Sequence, residues 1–323
     1  MATIDQKVAT PALALKAISL KNVLFATDFS PTSEAAFPYA SAICRRFGST
    51  LHLVHVMSDT SLLLMTGGVD YVSMGTIYED AHNEAKEKID QVAVRLEGIP
   101  YRTYVRHGQV WKTLAEIIAA NDIDLIVVGT HGRTGLGKLL LGSVAEDILR
   151  HAPCPVMTIG PNISGRAKLP AFHGHTRDLA PIELEVRQVV YATNFEEGSE
   201  NIARRAVRLA NEFGARLTLM HVIEDYHNLG SCPGPIEDGV QKLKSLIRQA
   251  AALSSTAETI MEFGDPAKAI LKIAAERETD LIVLGAKTSV EEVIGATHLP
   301  WTTAHQVIAH AACPVLTMRP RPE

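Results

Sequence analysis

The sequence predicts an α/β protein made of two repeated, five-stranded, parallel, doubly wound (Rossmann-like) domains. Two observations carry this. The chain repeats itself, and each copy alternates short apolar runs with helical patterns. Asn22-VLFATDFS, Phe47-Gly48 and LHLVHV recur in order as Gln188-VVYATNFE, Phe213-Gly214 and LTLMHV. Further on, Asp124-LIVVG recurs as Asp280-LIVLG, and His151-APCPVMT as His310-AACPVLT. Self-similarity at this scale marks a duplication of one structural unit. Runs such as 125–128 (LIVV) are apolar on both faces, as in parallel strands covered on both sides by helices.

The elements of the first copy follow in order. Strands are expected at 22–27, 50–56, 101–106, 124–129 and 155–159, with helices at 32–47, 77–97, 110–121 and 143–151. A βαβ order implies right-handed crossovers and a ligand site outside the carboxyl ends of the strands. The stretch 58–76 holds Gly67, Gly68 and Gly75 and reads as a long loop, or a mobile flap, over that edge. The chain divides into a tail (1–20), domain 1 (21–160), a Gly- and Pro-rich linker (161–186) and domain 2 (187–320). The two copies are expected to pair through their last strands, near 155–159 and 314–318, which would cover two sheet edges.

Composition narrows the function classes. The chain has 323 residues, 46% of them hydrophobic, and a net charge of −5. That is a globular composition. It supplies no basic excess for a general nucleic-acid binder. Cys44, Cys154, Cys232 and Cys313 show no metal-ligand spacing and fit a reducing compartment, so a cytoplasmic protein is expected. No run of 18 apolar residues predicts a membrane span. His173 and His175 in the linker read as surface residues rather than metal ligands.

One motif carries chemistry. After the fourth strand come Gly129 and Gly132, then nine residues, then Gly142-Ser143 opening a helix: G-x2-G-x9-G-S. Glycines let backbone approach a ligand, and a helix N-terminus offers unpaired N–H groups to phosphate. Arg133 and Lys138 lie in the intervening loop as cationic partners. Ser143 can bond a phosphate or simply cap its helix. The loop is not a P-loop: Leu139 stands where a magnesium-holding Ser or Thr is required.

ATDFS after strand one, HV after strand two and G-x2-G-x9-G-S after strand four together resemble the universal stress protein family, across nearly the whole chain and twice over. The resemblance implies the fold shared with adenine-nucleotide α-hydrolases and, in ATP-binding members, adenosine near strands one and two with phosphates on the glycine loop. Carried over, Ala26, Thr27 and Asp28 would line the adenosine end, with Asp28 contacting ribose or a nucleotide-bound magnesium ion. Asp28 as a helix cap is the structural alternative. Val56 would pack on adenine, or simply in the core, and Val128 would contribute backbone beside adenine or ribose. Gly129, Gly132, Gly142, Ser143 and Val144 would surround ribose and phosphates.

The second copy departs from the motif. Asn194 replaces the aspartate, Thr288 the second glycine, and Trp301-Thr302 falls at the Gly-Ser position; an alternative alignment uses Gly295-Ala296. His55 and His221 recur in both copies and read as satisfied core residues; His131 reads as a solvated loop residue.

The expectation is therefore a regulatory, stress-response protein holding one ATP, ADP or AMP in its first domain. It would be a homo-oligomer with a protein partner that the sequence does not identify. It is not expected to be an enzyme beyond slow ATP hydrolysis, since no catalytic base accompanies the phosphate seat. The alternatives are a nucleotide-free dimerisation scaffold and an adenine-nucleotide enzyme of the same fold.

Overall fold

The computed structural model describes residues 20–58, 71–130, 141–170, 182–224, 234–250, 257–286 and 302–320. Residues 1–19 of the tail, Gly67, Gly68, His131, Gly132, Arg133, Lys138, His173, His175, Cys232, Thr288, Gly295, Ala296 and Trp301 lie outside them.

The first repeat comprises β1 (Asn22–Ala26), α1 (Pro31–Phe47), β2 (Thr50–Met57), α2 (Tyr71–Ala93), β3 (Tyr101–His107), α3 (Val110–Ala120), β4 (Leu125–Gly129), α4 (Ser143–His151) and β5 (Val156–Ile159). The second comprises β6 (Gln188–Ala192), α5 (Ser199–Phe213), β7 (Arg216–Ile223), α6 (Gly234–Ala250), β8 (Ala257–Phe263), α7 (Pro266–Glu276), β9 (Leu281–Gly285), α8 (Thr303–His310) and β10 (Val315–Met318).

All ten strands form one sheet in the order β3-β2-β1-β4-β5-β10-β9-β6-β7-β8. Within each repeat every pair is parallel. The expected junction is present: β5 and β10 pair antiparallel, with Leu316 opposite Met157 at the centre. The repeats thus meet about a pseudo-two-fold axis, and each covers the other's edge. Thr158 Oγ1 donates to the Val315 carbonyl at 3.1 Å and Thr317 Oγ1 to the Val156 carbonyl at 3.3 Å, tying the two edges again.

Alternation along β1 explains why its run is apolar on both faces. Val23 and Phe25 join a core beneath α1 that continues through both repeats. Leu24 and Ala26 join a second core with α3 and α4. Asp124, just before β4, accepts the backbone N–H groups of Lys21 (2.8 Å) and Asn22 (3.1 Å). Asp280 does the same for Arg187 (2.8 Å) and Gln188 (3.0 Å). The repeated aspartate fixes the start of each repeat's first strand. Cys44, Cys154 and Cys313 are buried, and burial pushes the Cys44 and Cys313 thiols up to about 12. They pack as small hydrophobes.

Two expectations are corrected. The helix placed at 77–97 runs from Tyr71 to Ala93, so part of the stretch read as loop is helical. The inter-repeat segment read as a linker is packed at its described ends. Ile163, Ala167, Leu184 and Val186 are buried in the shared core. The Tyr39 hydroxyl donates to the Ala167 carbonyl at 2.6 Å and accepts from the Leu169 N–H at 3.1 Å.

Candidate functional site

A cavity of about 330 Å³ opens at the carboxyl ends of β1, β2 and β4, where the doubly wound topology leaves a crevice. Ala26, Thr27, Asp28, Val56, Val128, Gly129, Gly142, Ser143 and Val144 all line it. They come from four separated stretches of sequence. Gly132, Arg133 and Lys138 lie outside the described residues.

The turn after β1 is built from its own side chains. The Phe29 N–H donates to Thr27 Oγ1 at 3.0 Å, and the Ser30 N–H to Asp28 Oδ1 at 3.0 Å. Such side-chain turns tolerate the left-handed backbone seen at Phe29, φ 60. Ser30 rather than Asp28 caps α1, accepting from the Ser33 N–H at 3.2 Å. Asp28 lines the cavity and is not spent as the helix cap. His55 is the satisfied residue expected. It is 8% exposed, its Nδ1 lies 2.8 Å from the Thr27 carbonyl, and its ring packs on Phe29 at 4.5 Å.

The opposite wall is the start of α4. Gly142 is its N-cap, with extended backbone (φ −65, ψ 146) and no side chain to occupy the helix donors. Ser143 is the first helical residue, which corrects its alternative reading as the cap. It is exposed, and with Gly142, Val144 and Ala145 it lines the cavity. A helix start without a side-chain cap is a ready anion seat. Gly129 has a second role. A Cβ there would lie 2.7 Å from the Thr32 carbonyl oxygen, so its glycine is required for β4 to pass the start of α1.

Sequence reasoning missed the contribution of α2. Ala81, Glu84, Ala85 and Lys88 line the same cavity, with Lys88 and Glu84 paired. They share one helix face through i, i+3 and i+4 spacing, but they follow an irregular stretch and match no motif.

The second repeat reproduces the turn and alters the seat. Phe195 is again left-handed (φ 59), its N–H donates to Thr193 Oγ1 at 3.1 Å, and His221 Nδ1 meets the Thr193 carbonyl at 2.7 Å. The helix start differs. Thr302 is the N-cap of α8, one position later than the Gly-Ser alignment of Trp301-Thr302 implied. Its hydroxyl accepts from the His305 N–H and lies 2.7 Å from His305 Nδ1. One helix donor is thus already taken by the protein itself. Glu196, Glu197, Glu200 and Glu224 line the cavity on this side, together with Asn194 and Arg204. Their carboxylates oppose a polyphosphate by like-charge repulsion.

The universal stress protein family model matches residues 19–160 and again 185–319. The chain belongs to the universal stress protein family. Curated relatives match one repeat's length. Universal stress protein MJ0577 of Methanocaldococcus jannaschii is 28% identical over 156 residues, 44% of this chain and 96% of that protein. Universal stress protein A homolog 1 of Coxiella burnetii is 32% identical over 140 residues, 43% of this chain and 95% of that protein. The crystal structure of a universal stress protein from Archaeoglobus fulgidus DSM 4304 matches 94% of this chain and 97% of its own. It has a TM-score of 0.62 at 21% identity, which extends the likeness in fold to both repeats. Among the described residues, no helix is long and apolar enough to cross a membrane, and no group of three or more His, Cys, Asp or Glu could hold a metal ion.

Proposed function

We propose that the first repeat binds one adenine nucleotide, as ATP, ADP or AMP, and that this universal stress protein acts in regulation by coupling nucleotide occupancy to conformation or partner choice. One observation carries the reading: Ala26, Thr27, Asp28, Val56, Val128 and Gly142–Val144 converge on a single crevice that ends at a helix start with no side-chain cap. Val56 and Val128 offer an apolar surface for a base, and the α4 donors offer a seat for phosphate. Asp28, in the cavity lining, would accept a ribose hydroxyl or meet a magnesium ion carried in on the nucleotide. The second repeat would bind nucleotide weakly or not at all, because its helix start is self-capped and its cavity is acidic. The reading includes a cytoplasmic, homo-oligomeric protein, with any ATP hydrolysis slow.

The test is calorimetric titration of ATP with magnesium into nucleotide-stripped protein, beside Ser143→Glu. A carboxylate in the first turn is compatible with the helix dipole, so the fold is kept while phosphate is repelled. The expected result is binding by the native chain and a loss of about tenfold or more in the variant. Equal affinity in both would contradict the placement of the phosphates.

A further inference from the structure

The two outer edges of the sheet carry opposite charge. β3 and β8 are its terminal strands. β3 presents Arg102 and Arg106, four residues apart and therefore on one face. β8, its counterpart in the second repeat, presents Glu258 and Glu262 at the matching positions. All four lie on the face that carries α3 and α7. Arg102 donates to Asn121 at the end of α3, and Arg106 lies over Tyr104, whose hydroxyl donates to the same Asn121. Glu262 meets Lys272 of α7 at 3.4 Å, and Glu258 meets Arg277 just beyond α7 at 3.0 Å. Tyr101 and Phe263 stand on the opposite face of the same two strands, 48% and 43% exposed.

The backbone of both edges is arranged for pairing. Along a parallel strand, alternate residues turn their N–H and C=O to opposite neighbours. The Pro100 carbonyl accepts from the Leu51 N–H at 2.8 Å, and the Gly108 N–H donates to the Met57 carbonyl at 3.1 Å. The even-numbered residues of β3 thus face β2, and the odd-numbered ones, from Tyr101 to His107, face outward. The Gly264 N–H donates to the Ile223 carbonyl at 3.0 Å, so β8 likewise turns Ala257 to Phe263, odd-numbered, outward. Each repeat is parallel inside and the β5–β10 junction is antiparallel, so β3 and β8 run in opposite senses. A second copy set beside the first in the same orientation therefore brings its β8 antiparallel to β3. The faces match too, because α1 and α5 share one side of the sheet, where Arg46 lies over Phe213.

We propose that β3 of one chain pairs with β8 of a second copy, joining the ten-stranded sheets head to tail. The pairing rests on the homo-oligomeric reading above and gives it a surface. One register satisfies both ion pairs. With Tyr104 opposite Ile260, Arg102 meets Glu262 and Arg106 meets Glu258, at the non-hydrogen-bonded positions where side chains lie closest. The outward backbone groups then fall opposite one another, and Tyr101 covers Phe263. Sliding either strand by two residues breaks both ion pairs. Arg106 rests on the outward Val105 carbonyl at 3.2 Å, and pairing exchanges that contact for a β8 N–H and a carboxylate. Like edges repel. A β3–β3 contact about Tyr104 sets Arg102 against Arg106, and a β8–β8 contact about Ile260 sets Glu258 against Glu262. Backbone hydrogen bonds supply the affinity, and the charges choose partner and register. A head-to-tail contact grows into rings or open chains rather than stopping at a dimer.

The test is sedimentation velocity of the full-length protein from about 1 µM to about 1 mM, beside three variants checked by circular dichroism. The native chain is expected to grow past a dimer as concentration rises. Arg102→Glu with Arg106→Glu makes both edges acidic, and Glu258→Arg with Glu262→Arg makes both basic. Each pair of changes should weaken association about tenfold or more. An equimolar mixture of the two should recover it, since acidic and basic edges then alternate. Thr103→Pro removes one outward N–H, which an edge strand tolerates, and should block growth with the fold kept. ATP titrations of the same samples read the first crevice independently. A monomer at every concentration would overturn both the pairing and the homo-oligomeric reading. Association unmoved by the arginine reversals and by Thr103→Pro, or a mixture of folded variants no better than its components, would overturn the pairing alone.

Discussion

At Gly129 a methyl group would sit 2.7 Å from the Thr32 carbonyl oxygen and 3.1 Å from the Ser33 nitrogen. Both are backbone atoms and cannot swing away. Gly129→Ala should therefore destabilise the chain by about 1–3 kcal/mol, the usual cost of overpacking, read by urea denaturation. A glycine that the sequence marks as a ligand contact thus also holds β4 against α1. The histidines make a second residue-scale prediction. Burial is the main cause lowering His52, with Arg102 adding to it, and burial likewise lowers His305 from the usual 6.5. The folded protein then binds fewer protons than the unfolded chain just below pH 6.5. Stability present above that pH should be lost as the solution is acidified through the lowered folded values. Denaturation midpoints measured from pH 7.5 down to 5 should fall, and His52→Asn should flatten the slope; a flat native profile would contradict this.

Elements show how far the sequence could be read. The strand and helix bounds of the first repeat follow closely from hydrophobic period and duplication, because core packing enforces the same pattern. The start of α2 does not: Gly75 argues against a helix locally, and the helix begins at Tyr71 nonetheless. For the same reason Ala81, Glu84, Ala85 and Lys88 could not be foreseen at the cavity. The caps were also hidden. Which of Asp28, Ser30, Gly142 and Ser143 closes a helix depends on backbone angles that all four residue types allow. By contrast, the residues around β1, β2, β4 and the start of α4 that the family motif singles out do come together in space. Asp280 supplies the element-scale prediction. It is 3% exposed and holds two N–H groups at the entry to β6. Asp280→Ala should cost about 1–3 kcal/mol by leaving those donors unpaired, measured by denaturation; a neutral effect would mean water replaces the carboxylate.

For the whole molecule, one core joins the repeats. It runs from Val23 and Phe37 through Leu184 and Val186 to Val207, Leu316 and Met318. Arg46 of α1 lies over the Phe213 ring of α5 at 4.4 Å, and Phe47 meets Phe213 edge-on at 6.0 Å. Repeats sharing a core and a strand pair should unfold together. Calorimetry of the nucleotide-free chain should show one transition; two separated transitions would mean the junction is weak. The duplication also leaves two crevices that differ in two physical respects, an N-cap without a side chain at Gly142 against the self-capped Thr302, and the glutamates that line the second. That asymmetry underlies the central claim of one working nucleotide site. Its most direct measurement is the stoichiometry of ATP binding by the native chain. The account predicts about one nucleotide per chain, lost in Ser143→Glu and kept in Thr302→Glu, since the mutation at Ser143 alone places a like charge against bound phosphate. Two nucleotides per chain, none, or a site abolished by Thr302→Glu and not by Ser143→Glu would contradict it.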